Sequence, residues 1–181
     1  MDLTEKPISS ELIYRGKILD LYRDGVELPN GGSGVREYIR HVGAVCVVPV
    51  TDDGNVVMEK QFRYPFRSVL TEIPAGKLDG KDEAPEEAAR RELREETGAT
   101  AAEWIPLGDF YPTCAYSDEV IHMYLARGLS FGERALDEDE FLNVQLIPLE
   151  DVYRDVMTGK IKDGKTQTAV LKAYLYLHGA P

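Results

Sequence analysis

Apolar residues recur along the chain in two periods. Between residues 9 and 41, the stretches LIYRGKILDLYRDGVEL and VREYIRH alternate or carry β-branched residues, and Pro29-Asn30-Gly31-Gly32-Ser33-Gly34 reads as a flexible turn between them. This predicts a small antiparallel N-terminal sheet. GAVCVVPVT (43–51) is a continuous apolar run, the mark of a strand buried on both faces. After the turn DDGN (52–55), the segments VVMEKQFRY (56–64), VLTEIPAG (69–76), WIPLGDFY (104–111), EVIHMYLARGL (119–129) and FLNVQLIPL (141–149) read as strands. LEDVYRDVMTG (149–159) and KTQTAVLKAYLYLHG (165–179) have helical spacing. A further helix is bounded by its punctuation, with Pro85 at a first helical position and Gly98 just past the end. Strands and helices interleave, so the expected class is α/β: a mixed-sheet sandwich over residues 42–181, preceded by a β-sheet region over residues 1–41.

The length of 181 residues fits one domain with a small appendage. No apolar run is long enough to span a bilayer as a helix. The polar, acidic start MDLTEKPISS has no signal-peptide pattern. Cys46 and Cys114 are too few for a disulfide scaffold and lack metal-type spacing. A reduced, cytoplasmic setting is the expectation, with no membrane partner. The net charge of −11 argues against a nucleic-acid partner, which needs a basic footprint. If the chain handles a phosphate compound, local arginines or a divalent cation must offset the repulsion.

The informative segment is GKLDGKDEAPEEAARRELREETGA (76–99). On charge content alone it is a solvated helix laced with i,i+4 pairs, Glu86 with Arg90 and Glu87 with Arg91. Placement adds more. At roughly 100° per residue, Glu95 and Glu96 lie about 60° and 40° to either side of Glu92. Three carboxylates therefore share one narrow face, beside an apolar edge of Ala89 and Leu93 that can pack on a sheet. Clustered oxygen donors are what a hard cation such as Mg²⁺ or Mn²⁺ requires. Gly76, at the end of Ile73-Pro74-Ala75-Gly76, permits close backbone approach to that face.

These residues resemble the Nudix box: Gly, five residues, Glu, seven residues, then Arg-Glu-apolar-any-Glu-Glu-any-Gly-apolar. The second half is complete, from Arg91 through Glu92, Glu95, Glu96 and Gly98 to Ala99. Glu83 keeps its seven-residue gap to Arg91, and the loop KLDGKD is one residue longer than usual. The resemblance covers about residues 36–175. It implies an α/β/α sandwich with a mixed sheet and hydrolysis of a nucleoside diphosphate linked to another group. It also implies Mg²⁺ (Mn²⁺ as substitute) held by Glu92, Glu95, Glu96 and the Ala75 carbonyl, with Glu95 also in the catalytic set. Gly76, Glu83, Arg91 and Gly98 take structural roles, Arg91 orienting the glutamates.

EKQFRYPFRSVLTEIPAGKLD, GDFYPTCAYSDEVIHMYLA and DEDEFLNV are similar to the ADP-ribose pyrophosphatase branch of that family. The branch has Ser-Pro-Gly-Phe where this chain has Thr113-Cys114-Ala115-Tyr116. The resemblance implies cleavage of ADP-ribose, or a related nucleoside diphosphate sugar, to AMP or another nucleoside monophosphate and a sugar phosphate. It further implies Glu138 as general base, Glu140 as an additional metal ligand, and Arg63, Glu72, Arg36 and Tyr38 as substrate-binding residues. A homodimer formed through the N-terminal sheet is implied as well. Two other classes compete: a non-catalytic ADP-ribose sensor on the same fold, and an acidic Ca²⁺-binding module. The kept glutamates oppose the first, and the lack of an EF-hand loop opposes the second. His41, His122, His178 and Trp104 read as structural, and Cys114 has no neighbour to activate it.

Overall fold

The computed structural model describes residues 1–80, 82–136 and 141–179. The described residues form two compact units, residues 1–42 with 111–120, and residues 43–110 with those from 121 onward.

In the first unit, β1 (Lys6–Arg15), β2 (Asp20–Glu27) and β3 (Ser33–Arg40) form an antiparallel meander in the order β1-β2-β3. The Gly-rich turn joins the last two, with Gly31 at φ 81°. The segment 111–120 closes back on β3, where the Ile39 amide donates to the Tyr116 carbonyl at 2.9 Å and the Asp118 amide to the Ile39 carbonyl at 3.1 Å. β1 is exposed along its whole length although it carries Ile8, Leu12, Ile13 and Tyr14.

The second unit holds β4 (Ala44–Pro49), β5 (Asn55–Arg63), β6 (Ser68–Glu72), β7 (Ala75–Lys77), α1 (Pro85–Thr97), β8 (Ala99–Phe110), β9 (Ile121–Phe131), β10 (Leu142–Pro148), α2 (Leu149–Met157) and α3 (Gly164–Leu177). One sheet runs β7-β4-β9-β8, with β4 and β9 parallel and the other pairs antiparallel; the other runs β10-β5-β6 and is antiparallel. Every residue of β4 is buried, as its continuous apolar run requires. Val45 and Val47 face α1 with Ala89 and Leu93; Ala44, Cys46 and Val48 face the opposite core, shared with α2 and α3. The result is the α/β/α layering with a mixed sheet.

Two expected strands differ in extent. The segment 69–76 is two strands in two sheets, β6 pairing with β5 and β7 with β4. The crossing falls at Ile73-Pro74, where proline has no N–H for a ladder. There the Pro74 carbonyl accepts from Val47 N at 2.9 Å, and Ile73 N donates to Thr166 Oγ1 at 3.1 Å. β8 begins at Ala99 rather than Trp104, because small and polar residues at its start pair across to the end of β9 without any apolar signal.

Candidate active site

α1 presents the glutamates, and its ends are set locally. Pro85 occupies the first turn, and Gly98 closes the helix at φ 73°, its N–H donating to the Arg94 carbonyl. Ala88, Ala89 and Leu93 are fully buried against the β7-β4-β9-β8 sheet, which fixes the rotation of the helix about its axis.

With that rotation, Glu96 is buried at 3% exposure, and the side chains of Glu92 and Glu95 are 14% and 33% exposed. None of the three is splayed into bulk water. Glu96 Oε2 accepts from the Ala75 amide at 3.0 Å, which ties the helix to the β7 loop. Arg91 gathers the rest. Its Nη1 donates to Glu92 at 2.8 Å and Glu95 at 3.2 Å, its Nε to Glu83 at 3.2 Å, and its Nη2 to the Lys77 carbonyl at 3.1 Å. Burial pulls the Arg91 pKa down, but the bonds to Glu83, Glu92 and Glu95 more than reverse this, so the cation is permanent. Glu83 in turn accepts from the Asp79 amide at 2.6 Å, and its acidity is raised chiefly by Arg91. Arg90 pairs with Glu86 at 2.7 Å, as the i,i+4 spacing predicts; Arg91 turns to these carboxylates instead of Glu87.

Gly76 lies directly beneath Glu92. A Cβ built there would sit 2.0 Å from the Glu92 carboxyl carbon. The absent side chain is thus a cradle filled by a carboxylate. Among the described residues no group of three or more His, Cys, Asp or Glu is gathered tightly enough to hold an ion. The donor set is nevertheless all hard oxygen, and the glycine cradle keeps one carboxylate against the loop, features that fit a divalent cation. Glu138 and Glu140 lie outside the described residues.

A second cluster surrounds Glu72, buried at the end of β6 with 3% exposure. Arg63 grips it in a two-pronged fork, Nε to Oε1 at 2.8 Å and Nη2 to Oε2 at 2.7 Å, and keeps an exposed edge. Lys165 bonds the same carboxylate from α3. Burial raises the Glu72 pKa, yet Arg63 and Lys165 together bring it below the ordinary value. Arg63 and Glu72, both expected near substrate, are therefore brought together. Arg36 and Tyr38 lie in the first unit, Arg36 donating to Glu5 at 2.9 Å and Tyr38 to Asp24 at 3.0 Å, with Tyr38 stacked on Tyr22.

Sequence reasoning missed three contributors. Glu59 is buried at 4% exposure directly across from Glu72 in the β5–β6 register; a glutamate inside the apolar stretch VVMEKQF was its only signal. Lys165 and Asp163 sit about 90 residues along the chain from Glu72. Asp163 caps α3 through the Thr166 amide at 2.9 Å and holds Lys165 at the same distance. Cys46 is buried and its thiol pushed up to about 12, so it is inert. The histidines sit beside acids as structural pairs, His122 at 2.7 Å from Asp109.

The fold and this arrangement of box residues are those of a Nudix protein, and the chain belongs to the Nudix family: the NUDIX domain model matches residues 40–168. The nucleoside diphosphate sugar hydrolase N-terminal domain matches residues 5–39. The chain is 47% identical over 180 residues to the ADP-ribose pyrophosphatase of Bacillus subtilis, covering 98% of this chain and 96% of that protein. It is 43% identical over 178 residues to the methanol dehydrogenase activator of Bacillus methanolicus, covering 97% and 95%. A solved ADP compounds hydrolase superposes with a TM-score of 0.84 over the full length of both chains at 22% identity, a likeness of fold. The protein is a Nudix hydrolase of the ADP-ribose pyrophosphatase type.

Proposed function

We propose that the protein hydrolyses the diphosphate linkage of ADP-ribose, or a closely related nucleoside diphosphate sugar, with Mg²⁺, to AMP or another nucleoside monophosphate and a sugar phosphate. The observation that carries this reading is the glutamate face of α1, seated on Gly76 and locked by Arg91 and the Ala75 amide. Its Glu92, Glu95 and Glu96, with the Ala75 carbonyl, would hold the metal. A divalent ion bound there neutralises charge on the two phosphates and makes hydroxide available near neutral pH. Arg91 keeps the carboxylates oriented. Arg63, fixed by Glu72, turns its exposed edge to the substrate diphosphate, and a fork geometry suits phosphate oxygens. Glu138 accepts the proton of the attacking water, and Glu140 supplies a further metal ligand. Arg36 and Tyr38 contact the nucleoside.

Residues 1–41 act as a dimerisation element and residues 42–181 as the hydrolase domain. The exposed apolar side chains of β1 support a homodimer through this sheet. Two free cysteines fit a cytoplasmic setting. A sensor without activity would have no use for three retained box carboxylates.

The test is a product assay over a panel of nucleotide sugars with Mg²⁺ and Mn²⁺, on the wild type and on Glu95→Gln and Glu96→Gln. Turnover of ADP-ribose that falls about 10²-fold or more in both variants, with unchanged folding, is the expected result. Full turnover in both at saturating Mg²⁺ would falsify the metal assignment.

A further inference from the structure

We propose that the outer face of α1 and the start of β8 form a second anion site, which takes a phosphate monoester carried on a sugar. A cavity of about 350 Å³ lies there, lined among others by Glu87, Arg90, Arg91, Arg94, Thr100 and Trp104. That volume is in the range of small-molecule sites, of order 300 Å³ and above. At roughly 100° per residue, Arg90 and Arg94 lie about 160° from Glu92, on opposite sides of that direction. The cavity therefore faces away from the glutamate face and is a separate place on the helix.

Its cations differ in what they have to offer. Arg91 is committed to Glu83, Glu92, Glu95 and the Lys77 carbonyl, so it contributes only a wall. Arg94 is exposed, and its guanidinium has no carboxylate partner among the described residues. Arg90 holds only an exposed i,i+4 pair with Glu86, the kind of pair that a stronger anion displaces readily. Its guanidinium rests 4.7 Å from the centre of the Trp104 ring. The ring is itself fixed, because its Nε1 donates to the Ala101 carbonyl at 3.2 Å. Two guanidinium forks one helical turn apart, one of them held in place by an indole, suit the oxygens of a phosphate dianion.

Glu87 in the same lining selects further. Its carboxylate repels a bare phosphate and accepts hydroxyl groups. A ligand that places phosphate at Arg90 and Arg94 and hydroxyls at Glu87 satisfies both ends, which describes a phosphorylated sugar or a nucleoside monophosphate. In a chain of net charge −11, a pocket with two available arginines is a local exception. Both products of the proposed reaction belong to this ligand class, so the site is suited to product feedback. Binding at Arg90 and Arg94 does not depend on which substrate the glutamate face cleaves.

Trp104 is the only tryptophan in the chain, so its fluorescence reports on this cavity alone. The experiment titrates the whole protein with AMP, ribose 5-phosphate, inorganic phosphate and adenosine, with chelator present to silence hydrolysis. Saturable changes with both monoesters are expected, weaker binding of inorganic phosphate, and no response to adenosine. The tighter monoester identifies which product is the natural ligand. Arg94→Gln, at an exposed position, should raise the half-saturating concentration about tenfold, the loss of one charged phosphate contact. The Glu95→Gln/Glu96→Gln double variant should bind unchanged, which separates this site from the catalytic one. The proposal is overturned by no response at millimolar ligand, a response indifferent to both Arg94→Gln and Arg90→Gln, a response lost in the glutamate double variant, or inorganic phosphate binding as tightly as the monoesters.

Discussion

Gly76→Ala separates the fold from the chemistry. The new Cβ would stand 2.0 Å from both the carboxyl carbon and Oε1 of Glu92, and 2.3 Å from Oε2. Ordinary carbon contacts need about 3.5 Å, so the carboxylate must retreat by about 1.5 Å. The three atoms nearest the methyl all belong to the far end of one flexible side chain, and Gly76 is not in the left-handed backbone region. The fold can therefore accommodate alanine. Loss of glycine freedom in the unfolded chain even favours the folded state by about 0.4–1 kcal/mol. The displaced carboxylate is another matter, since it leaves the place from which it meets Arg91 at 2.8 Å. A misplacement near 1 Å in a catalytic constellation costs about 10²-fold in rate. The expected result is an unchanged or slightly raised Tm together with kcat/KM reduced about 10²-fold and a weaker Mg²⁺ requirement curve. Thermal melts and steady-state kinetics on one preparation decide it. Wild-type kinetics in Gly76→Ala would refute the idea that Glu92 must occupy this cradle, and a collapse in Tm would show that the carboxylate cannot move aside.

Three further outcomes follow from the same geometry. Arg91→Ala removes the bonds to Glu83, Glu92, Glu95 and the Lys77 carbonyl; metal affinity or activity should fall about 10–100-fold, the usual loss when an orienting partner goes, and unchanged metal titration by calorimetry would refute the orienting role. Leu93→Ala opens a cavity between α1 and the sheet where Leu93 is fully buried, at about 2–5 kcal/mol, or a fall in Tm of about 5–15 °C. Glu72 has a folded pKa depressed below its ordinary value of 4.5, so its ionised form stabilises the fold above that value and the contribution disappears as pH falls through the depressed value; Glu72→Gln should flatten the acid limb of a Tm-against-pH curve below about pH 4.5, and identical acid limbs would contradict the pairing with Arg63 and Lys165.

The sequence made the glutamate helix fully legible because each of its signals is local. Proline at the start, glycine at the end, and the 92/95/96 spacing are all encoded within one segment of 14 residues, Pro85 to Gly98. β4 was legible for a similar reason, since burial on both faces leaves an unbroken apolar run. The break between β6 and β7 was not, because Ile73 and Pro74 look like the interior of one strand until the partners of β4 and β5 are known. The start of β8 was hidden because its pairing with β9 rests on backbone bonds that small polar residues make as well as apolar ones. The cluster around Glu72 was half visible: Arg63 and Glu72 are near in sequence, but Lys165 arrives from α3 only once the chain has folded.

That cluster also bears on why the residues are there at all. Glu59 and Glu72 are buried acids directly opposed across two strands, an arrangement that is unfavourable unless cations intervene. Arg63 and Lys165 intervene at Glu72, and the pair costs much of its attraction in lost hydration. Apolar residues of similar volume would hold β5 and β6 together at least as well, so stability does not explain the choice. Position does. Arg63 spends two donors on Glu72 and still turns an exposed edge outward, while Ile73, between Glu72 and the segment that bears Ala75 and Gly76, donates to Thr166 of α3, which Asp163 joins to Lys165. One network thus holds both the guanidinium proposed to meet a diphosphate and the backbone beside the glutamates proposed to bind metal, and a hydrophobic replacement would keep the fold and loosen both.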